Sequence, residues 1–338
     1  METVELVYNR QNGVTRSVRR DGDVVRKVLQ RRGAPGQWPP SEDPRAWNYW
    51  RREALAYSTG LPERMRLPAP ELLDLIETDD RIELVLRAVG PHPAPLPTID
   101  DLVVAARLLG RAQAAPAVDD AWLSRGFLRD YVRIRPVDWS LLTDDAAWRQ
   151  PLIAAHFDGR LRERVIALHE RAADLIAICE ALPRTVAHLD VFPANLIRDG
   201  DRLRWLDWAF TGDACLGEDI GNLVPDSVFD LFLPSDSVGE LAERLPEAYL
   251  AGLADAGWAG DARLVRLGIM ASVVRYEWLM PLTLRRAGDA LQTSYGGVPT
   301  DTPERNYAAR AAGLALCADW AEQALSLAAD LRREGVAV

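Results

Sequence analysis

The chain almost lacks lysine. Of its 40 basic residues only Lys27 is a lysine, and the other 39 are arginine. Cysteine is nearly as scarce: Cys179, Cys215 and Cys317 are far apart, odd in number and form no Cys-x-x-Cys pair. That excludes a disulfide framework and a cysteine zinc site, and it fits a reducing, cytoplasmic setting. No stretch reaches the ~18 consecutive apolar residues of a membrane helix. The opening METVELVYNRQNG has no basic-then-apolar profile of a secretory signal. A basic surface is missing too. The net charge of −10 argues against a nucleic-acid partner, because phosphate binding relies on positive surface. Nothing in the chain points to a membrane or a protein partner.

What is present fits a globular chain of 338 residues, with 48% hydrophobic and 27% charged residues, long enough for two lobes. The arginine bias is what a GC-rich coding sequence produces. A lysine that survives it is either a leftover on a solvated strand or a site needing a compact ammonium on a flexible stem.

The first ninety residues read as strands with one helix. LVYN (6–9), TRSVRR (15–20) and VVRKVL (24–29) are strands, the last two joined by the hairpin signal Asp21-Gly22. RAWNYWRREALAYSTG (45–60) places Trp47, Trp50, Ala54 and Tyr57 at helical spacing, ends at a glycine and carries Glu53. PELLDLIET (70–78) and RIELVLRAV (81–89) form a further strand pair. GPHPAPLPT (90–98), with four prolines in nine residues, marks a hinge. Beyond it, 99–115, 121–133, 145–157, 160–182, 238–254, 261–287 and 304–333 have helical periodicity. The expected architecture is an α+β chain. Residues 1–89 form a small antiparallel-sheet lobe with one key helix, 90–98 a hinge, and 99–338 a large, mainly helical lobe.

One segment breaks the helical run. HLDVFPANLI (188–197) continues through RDGDRLRW into Leu206, Asp207 and Trp208, two short apolar strands around Asp199-Gly200. A hairpin returns the chain to its starting point, so Asn195 and Asp207 are expected within a few ångströms of each other. An amide oxygen beside a carboxylate is a hard oxygen pair of the kind Mg²⁺ takes alongside phosphates. Asp190, in a loop stiffened by Pro193, can face the same point and accept a proton from a hydroxyl. His188 stands where a ring braces a loop.

The pattern His-x-Asp-x-x-x-x-Asn, with an Asp twelve residues after the Asn, resembles the signature of the aminoglycoside phosphotransferase and choline kinase family. The resemblance implies a bilobal protein-kinase-like fold and Mg²⁺-dependent transfer of the γ-phosphate of ATP or GTP to a small-molecule hydroxyl. By position it makes Asp190 the catalytic base, Asn195 and Asp207 the metal ligands, and His188 a loop brace. Lys27 becomes the α/β-phosphate lysine and Glu53 its helix partner. Asp219, in GEDIGNL, matches a structural aspartate that supports the loop. The loop NRQNGV (9–14) has no G-x-G-x-x-G, so Gly13 alone stands at the phosphates.

A protein substrate fits poorly, because only eleven residues separate Asp207 from Asp219 and no Ala-Pro-Glu follows. A nucleotide-binding pseudokinase or regulatory module would lack a member of the set, and all are present. For the acceptor, Asp226, Glu277 and Trp278 are the expected contacts. An antibiotic (aminoglycoside, or nucleoside- or sugar-containing) is the first expectation, with a metabolic sugar or amino alcohol as the alternative.

Overall fold

The structure is a computed structural model. It describes residues 3–35, 37–115, 120–134, 137–293 and 302–338. By its contacts the chain divides into two units: residues 1–127, 185–214 and 251–258 form one, and residues 128–184, 215–250 and 259–338 the other.

The first unit is built on a five-stranded antiparallel sheet. Its strands are β1 (Thr3–Glu5), β2 (Thr15–Asp21), β3 (Val24–Gln30), β4 (Leu72–Glu77) and β5 (Arg81–Arg87), in the order β1-β2-β3-β5-β4. Gly22, at φ +61°, supplies the positive φ that the tight β2–β3 turn demands. β3 pairs residue for residue with β5, Lys27 opposite Leu84, so β3 and β5 lie inside the sheet with partners on both sides. Leu29, Ile82 and Leu84 are at most 1% exposed. The first strand falls at Thr3–Glu5 instead of 6–9, because Thr3 to Glu5 find partners in Asp21 to Arg19.

The helix expected over 45–60 is shorter. Regular helix begins only at α1 (Arg52–Ser58), and residues 45–51 are a series of turns. The buried Trp47 and Trp50 that suggested helical spacing belong to those turns. Two more helices belong to this unit. The helix α2 (Leu61–Arg64) follows a left-handed Gly60, and the helix α3 (Ile99–Gln113) starts at a Thr98/Asp101 capping box. Strand β6 (Arg184–Ala187) leads toward the hairpin of β7 (Leu196–Asp199) and β8 (Arg202–Trp205), and β9 (Gly212–Cys215) returns to pair with β6.

The second unit is mainly helical. Its helices include Gly159–Glu170, Ala172–Ala181, Glu218–Phe229, Ala262–Ala271, Leu279–Arg286 and Pro303–Arg333. The 160–182 segment is two helices broken at Arg171, and 261–287 is interrupted by a 3₁₀ turn at Ser272–Tyr276. Glu218–Phe229 adds a helix to that reading even though Pro225 stands in its interior, where the ring removes a donor and disfavours helix locally. Packing overrides that preference, because eleven of its twelve residues are buried. No helix among the described residues is long and apolar enough to cross a membrane.

Because Leu29 lies fully buried in the middle of the sheet, Leu29→Ala is expected to cost about 2–5 kcal/mol. The midpoint of urea unfolding reads that loss, and an unchanged midpoint would contradict this placement of β3.

Candidate active site

The β7–β8 hairpin has the register Leu196↔Trp205, Ile197↔Arg204, Arg198↔Leu203 and Asp199↔Arg202. Asp199 is paired, so the two-residue turn is Gly200-Asp201, one step later than expected. Gly200 takes φ +63° at its first position, which suits glycine. Leu206 donates its N–H to the Asn195 carbonyl at 2.9 Å, closing the mouth of the hairpin. Asn195 therefore lies beside the residue that precedes Asp207. The hairpin is anchored within the same unit: the Trp205 N–H donates to Pro68 O at 2.8 Å, and Arg198 forms an ion pair with Asp101 of α3.

His188 is fully buried and holds both sides of the loop. Its Nδ1 accepts from the Asp190 N–H at 3.3 Å, so Nε2 carries the proton and donates to Leu206 O at 3.0 Å. Its ring packs against Trp208 and Trp205, at 4.8 and 6.1 Å between centroids. The amide of Asn195 donates to the Asp190 carbonyl at 2.9 Å and to its Oδ2 at 3.1 Å. That fixes the Asp190 carboxylate and leaves the Asn195 Oδ1 as an acceptor. Leu189 and Asp207 both sit at positive φ, +64° and +59°. Neither is glycine, so each backbone position carries about 1–3 kcal/mol of strain that the surrounding bonds maintain.

Lys27 joins the sheet to this loop. Its Nζ lies 2.7 Å from Glu53 Oε2 on α1 and 3.0 Å from Asp207 Oδ1 just beyond β8. The ammonium and the Glu53 carboxylate are 8% and 2% exposed. Burial by itself would lower the lysine pKa, but Asp207 and then Glu53 outweigh it and hold it above the usual lysine value. Burial pushes Glu53 up to about 7 against the pull of Lys27, and the like charge of Asp207 adds to the rise.

The structure thus brings Lys27, Glu53, His188, Asp190, Asn195 and Asp207 together in one unit. Gly13 belongs to that unit, but its N–H donates to Trp38 O at 3.1 Å. A Cβ there would come within 2.5 Å of the same carbonyl, so packing already requires a glycine. The backbone of Leu84 to Arg87 is committed to strand pairing in β5. Asp219, Asp226, Glu277 and Trp278 belong to the second unit. Asp219 is fully buried in the first turn of Glu218–Phe229, where a carboxylate suits the helix dipole. Asp226 is half-buried on the same helix, and Trp278 precedes the helix Leu279–Arg286. Glu277 is buried and engages His169 Nδ1 at 3.1 Å, with burial raising its pKa.

The donor set suits a hard divalent cation. Glu53 and Asp207 flank the ammonium of Lys27, and the Asp190 carboxylate lies on the Asn195 amide, so carboxylate oxygens gather on both sides of the hairpin mouth. Among the described residues no three His, Cys, Asp or Glu side chains gather as a metal site. A cation here would take two protein oxygens and draw its remaining ligands from phosphate and water, as Mg²⁺ does. Sequence reasoning missed one residue next to the site: Arg52, buried beside Glu53, on which no spacing or motif drew attention.

No protein-family model matches the chain, and no curated protein matches it. Solved structures do. A choline/ethanolamine kinase family protein from Mesorhizobium loti matches with a TM-score of 0.52 at 14% identity, covering 96% of this chain and 92% of that one. An aminoglycoside phosphotransferase from Alicyclobacillus acidocaldarius matches with a TM-score of 0.48 at 16% identity, covering 95% and 92%. A choline kinase from Cryptosporidium parvum gives 0.48 at 12% identity, covering 99% and 90%. The first of these carries the fold assignment: the chain has the protein-kinase-like fold, a small antiparallel sheet with its helix followed by mainly helical structure.

The buried triad has a pH signature. Glu53 has a folded pKa above its usual 4.5, so its contribution to stability is complete below about 4.5 and is lost as pH rises through about 7. Removing Lys27 takes away the nearest cation and enlarges that loss. Lys27→Met is expected to lower stability by about 3–5 kcal/mol at pH 8 and by clearly less at pH 6. Melting temperatures of both proteins at the two pH values check this, and an equal gap at both would refute it.

Proposed function

We propose that this chain is a Mg²⁺-dependent O-phosphotransferase that passes the γ-phosphate of ATP or GTP to a hydroxyl of a small molecule. The observation that carries the reading is the Lys27 ammonium held between Glu53 and Asp207, with the Asp190–Asn195 pair at the mouth of the same hairpin. A lysine on a central strand, a helix carboxylate, and an Asp and an Asn delivered by one hairpin form the constellation that phosphoryl transfer uses in this fold.

In this reading Lys27, oriented by Glu53, binds the nucleotide phosphates. Asp207 and the Asn195 Oδ1 hold the metal ion, which when bound supplies charge neutralisation at the phosphates. Asp190, its carboxylate fixed by the Asn195 amide, orients the acceptor hydroxyl and accepts its proton. His188 keeps Asp190 and Leu206 at a set separation, and Asp219 supports the fold from the start of its helix. Gly13 contributes shape to the loop and no free donor. Most of the rate then comes from positioning and electrostatics rather than covalent chemistry by the protein.

For the acceptor we carry an antibiotic, inactivated by O-phosphorylation, as the reading to test. A sugar or amino alcohol of metabolism is the alternative within the same chemistry. Asp226, Glu277 and Trp278 are proposed as its contacts. The support for an antibiotic is the arginine-rich composition and its association with GC-rich bacteria. Hydroxylated acceptors of each class, incubated separately with ATP and GTP, distinguish the two by which mass gains a phosphoryl group.

Asp190→Ala is expected to lower turnover by about 10²–10⁴-fold while nucleotide binding survives, because Asp190 touches the acceptor and not the phosphates of the nucleotide. Turnover close to that of the unaltered chain would remove Asp190 from its role.

A further inference from the structure

Arg52 immediately precedes Glu53 on α1 and is 0% exposed. Four of its five N–H donors are spent on backbone carbonyls. Nε donates to Trp122 O at 3.0 Å and Nη1 to Trp47 O at 2.8 Å; Nη2 donates to Pro44 O and Ala46 O, both at 2.7 Å. Burial lowers the guanidinium to about 9, so it stays charged at neutral pH, held by carbonyl dipoles. A buried charge of this kind is costly and persists only where the surrounding structure requires it.

Local helix chemistry gives no reason for it. α1 is only seven residues long, and no side chain caps its start. A helix that short is marginal by itself. A cation at its first position opposes the helix dipole, which favours negative charge there. The position of α1 therefore comes from outside the helix. The guanidinium fork ties its first turn to the turns at 44–47 and to Trp122, and the adjacent residue on that turn is Glu53, 2.7 Å from Lys27.

We propose that Arg52 is a positioning residue for nucleotide binding: by clamping the first turn of α1 to the carbonyls of Pro44, Ala46, Trp47 and Trp122, it holds Glu53 against Lys27 permanently. In protein kinases the corresponding pair is made and broken by movement of its helix. Here the clamp is built into the core, and the pair stands ready without a switch. The inference rests on the reading of Lys27 and Glu53 as nucleotide-binding residues.

The test compares the unaltered chain with Lys27→Met, Glu53→Gln, Arg52→Lys and the Arg52→Lys/Glu53→Gln double variant. A non-hydrolysable ATP analogue with Mg²⁺ is the probe, so no acceptor needs to be known. Lysine keeps the charge but lacks the planar fork that serves four carbonyls. Misplacing Glu53 is expected to weaken binding of the analogue in Arg52→Lys by roughly 10–100-fold. Amide exchange in α1 is expected to quicken. The double variant is expected to bind no more weakly than Glu53→Gln alone, since Arg52 acts through Glu53. Unchanged affinity in folded Arg52→Lys would overturn the proposal, as would losses that simply add in the double variant. If Arg52→Lys does not fold, Arg52→Gln takes its place with the same readings. Failure of both to fold would make Arg52 a determinant of global stability and overturn the proposal equally. A Lys27→Met variant that binds the analogue at full strength would instead remove the reading beneath it, whatever Arg52 does.

Discussion

The ammonium of Lys27, held within 3.0 Å of two carboxylates, is the contact on which the rest of the site depends. It joins three segments that lie far apart in the chain: a central strand, a short helix, and the end of a hairpin beyond residue 200. A buried ammonium is tolerable only when it is paired, and two buried or half-buried carboxylates tolerate each other only with a cation between them. Each member therefore needs the others, and the backbone that carries each must be held in place. β3 achieves this by pairing on both sides, α1 through the guanidinium of Arg52, and Asp207 through the closed mouth of the hairpin.

The hairpin contributes rigidity at an energetic cost. Leu189 and Asp207 hold left-handed backbone conformations without being glycine. His188 lies between them, accepting from the residue that follows one and donating to the carbonyl that precedes the other. Its ring is sealed by Trp205 and Trp208. The strain is stored where acidic side chains must converge, the usual location for such strain in a functional site. Asn195 links the two chemistries: its amide nitrogen fixes Asp190, and its oxygen remains as a donor for a cation. The proposed phosphoryl transfer needs such preorganisation, because little in that reaction is covalent work for the protein.

Much of the fold could be read along the chain. Alternation located β2 to β5 to within a few residues, and Asp21-Gly22 marked the first hairpin. The misses share a physical cause: distant groups decided the local structure. The turns at 45–51 carry helical spacing, yet the carbonyls of Ala46 and Trp47 accept from Arg52, that of Asn48 from the Ser41 N–H and that of Arg45 from the Arg125 N–H, so no helical ladder forms there. Glu218–Phe229 is helical despite Pro225, because burial of nearly all its residues outweighs one missing bond. The hairpin turn moved by one residue because Asp199 gains a partner in Arg202 and Gly200 can accept positive φ.

The sequence by itself determined which residues could share the chemistry. The spacing of His188, Asp190, Asn195 and Asp207 follows from a hairpin, whose geometry is local and so is written in consecutive residues. The scarcity of lysine set Lys27 apart for a similar reason: composition is visible without any fold. Only the tertiary structure decided that Lys27 meets both Glu53 and Asp207, that the Gly13 amide is already occupied, and that Arg52 clamps the helix that carries Glu53. Apart from the bonds of Arg52 to Pro44, Ala46 and Trp47, those contacts join residues 25 to 180 positions apart, and their energies come from burial. Burial is a property of the folded chain, and no spacing of residues records it.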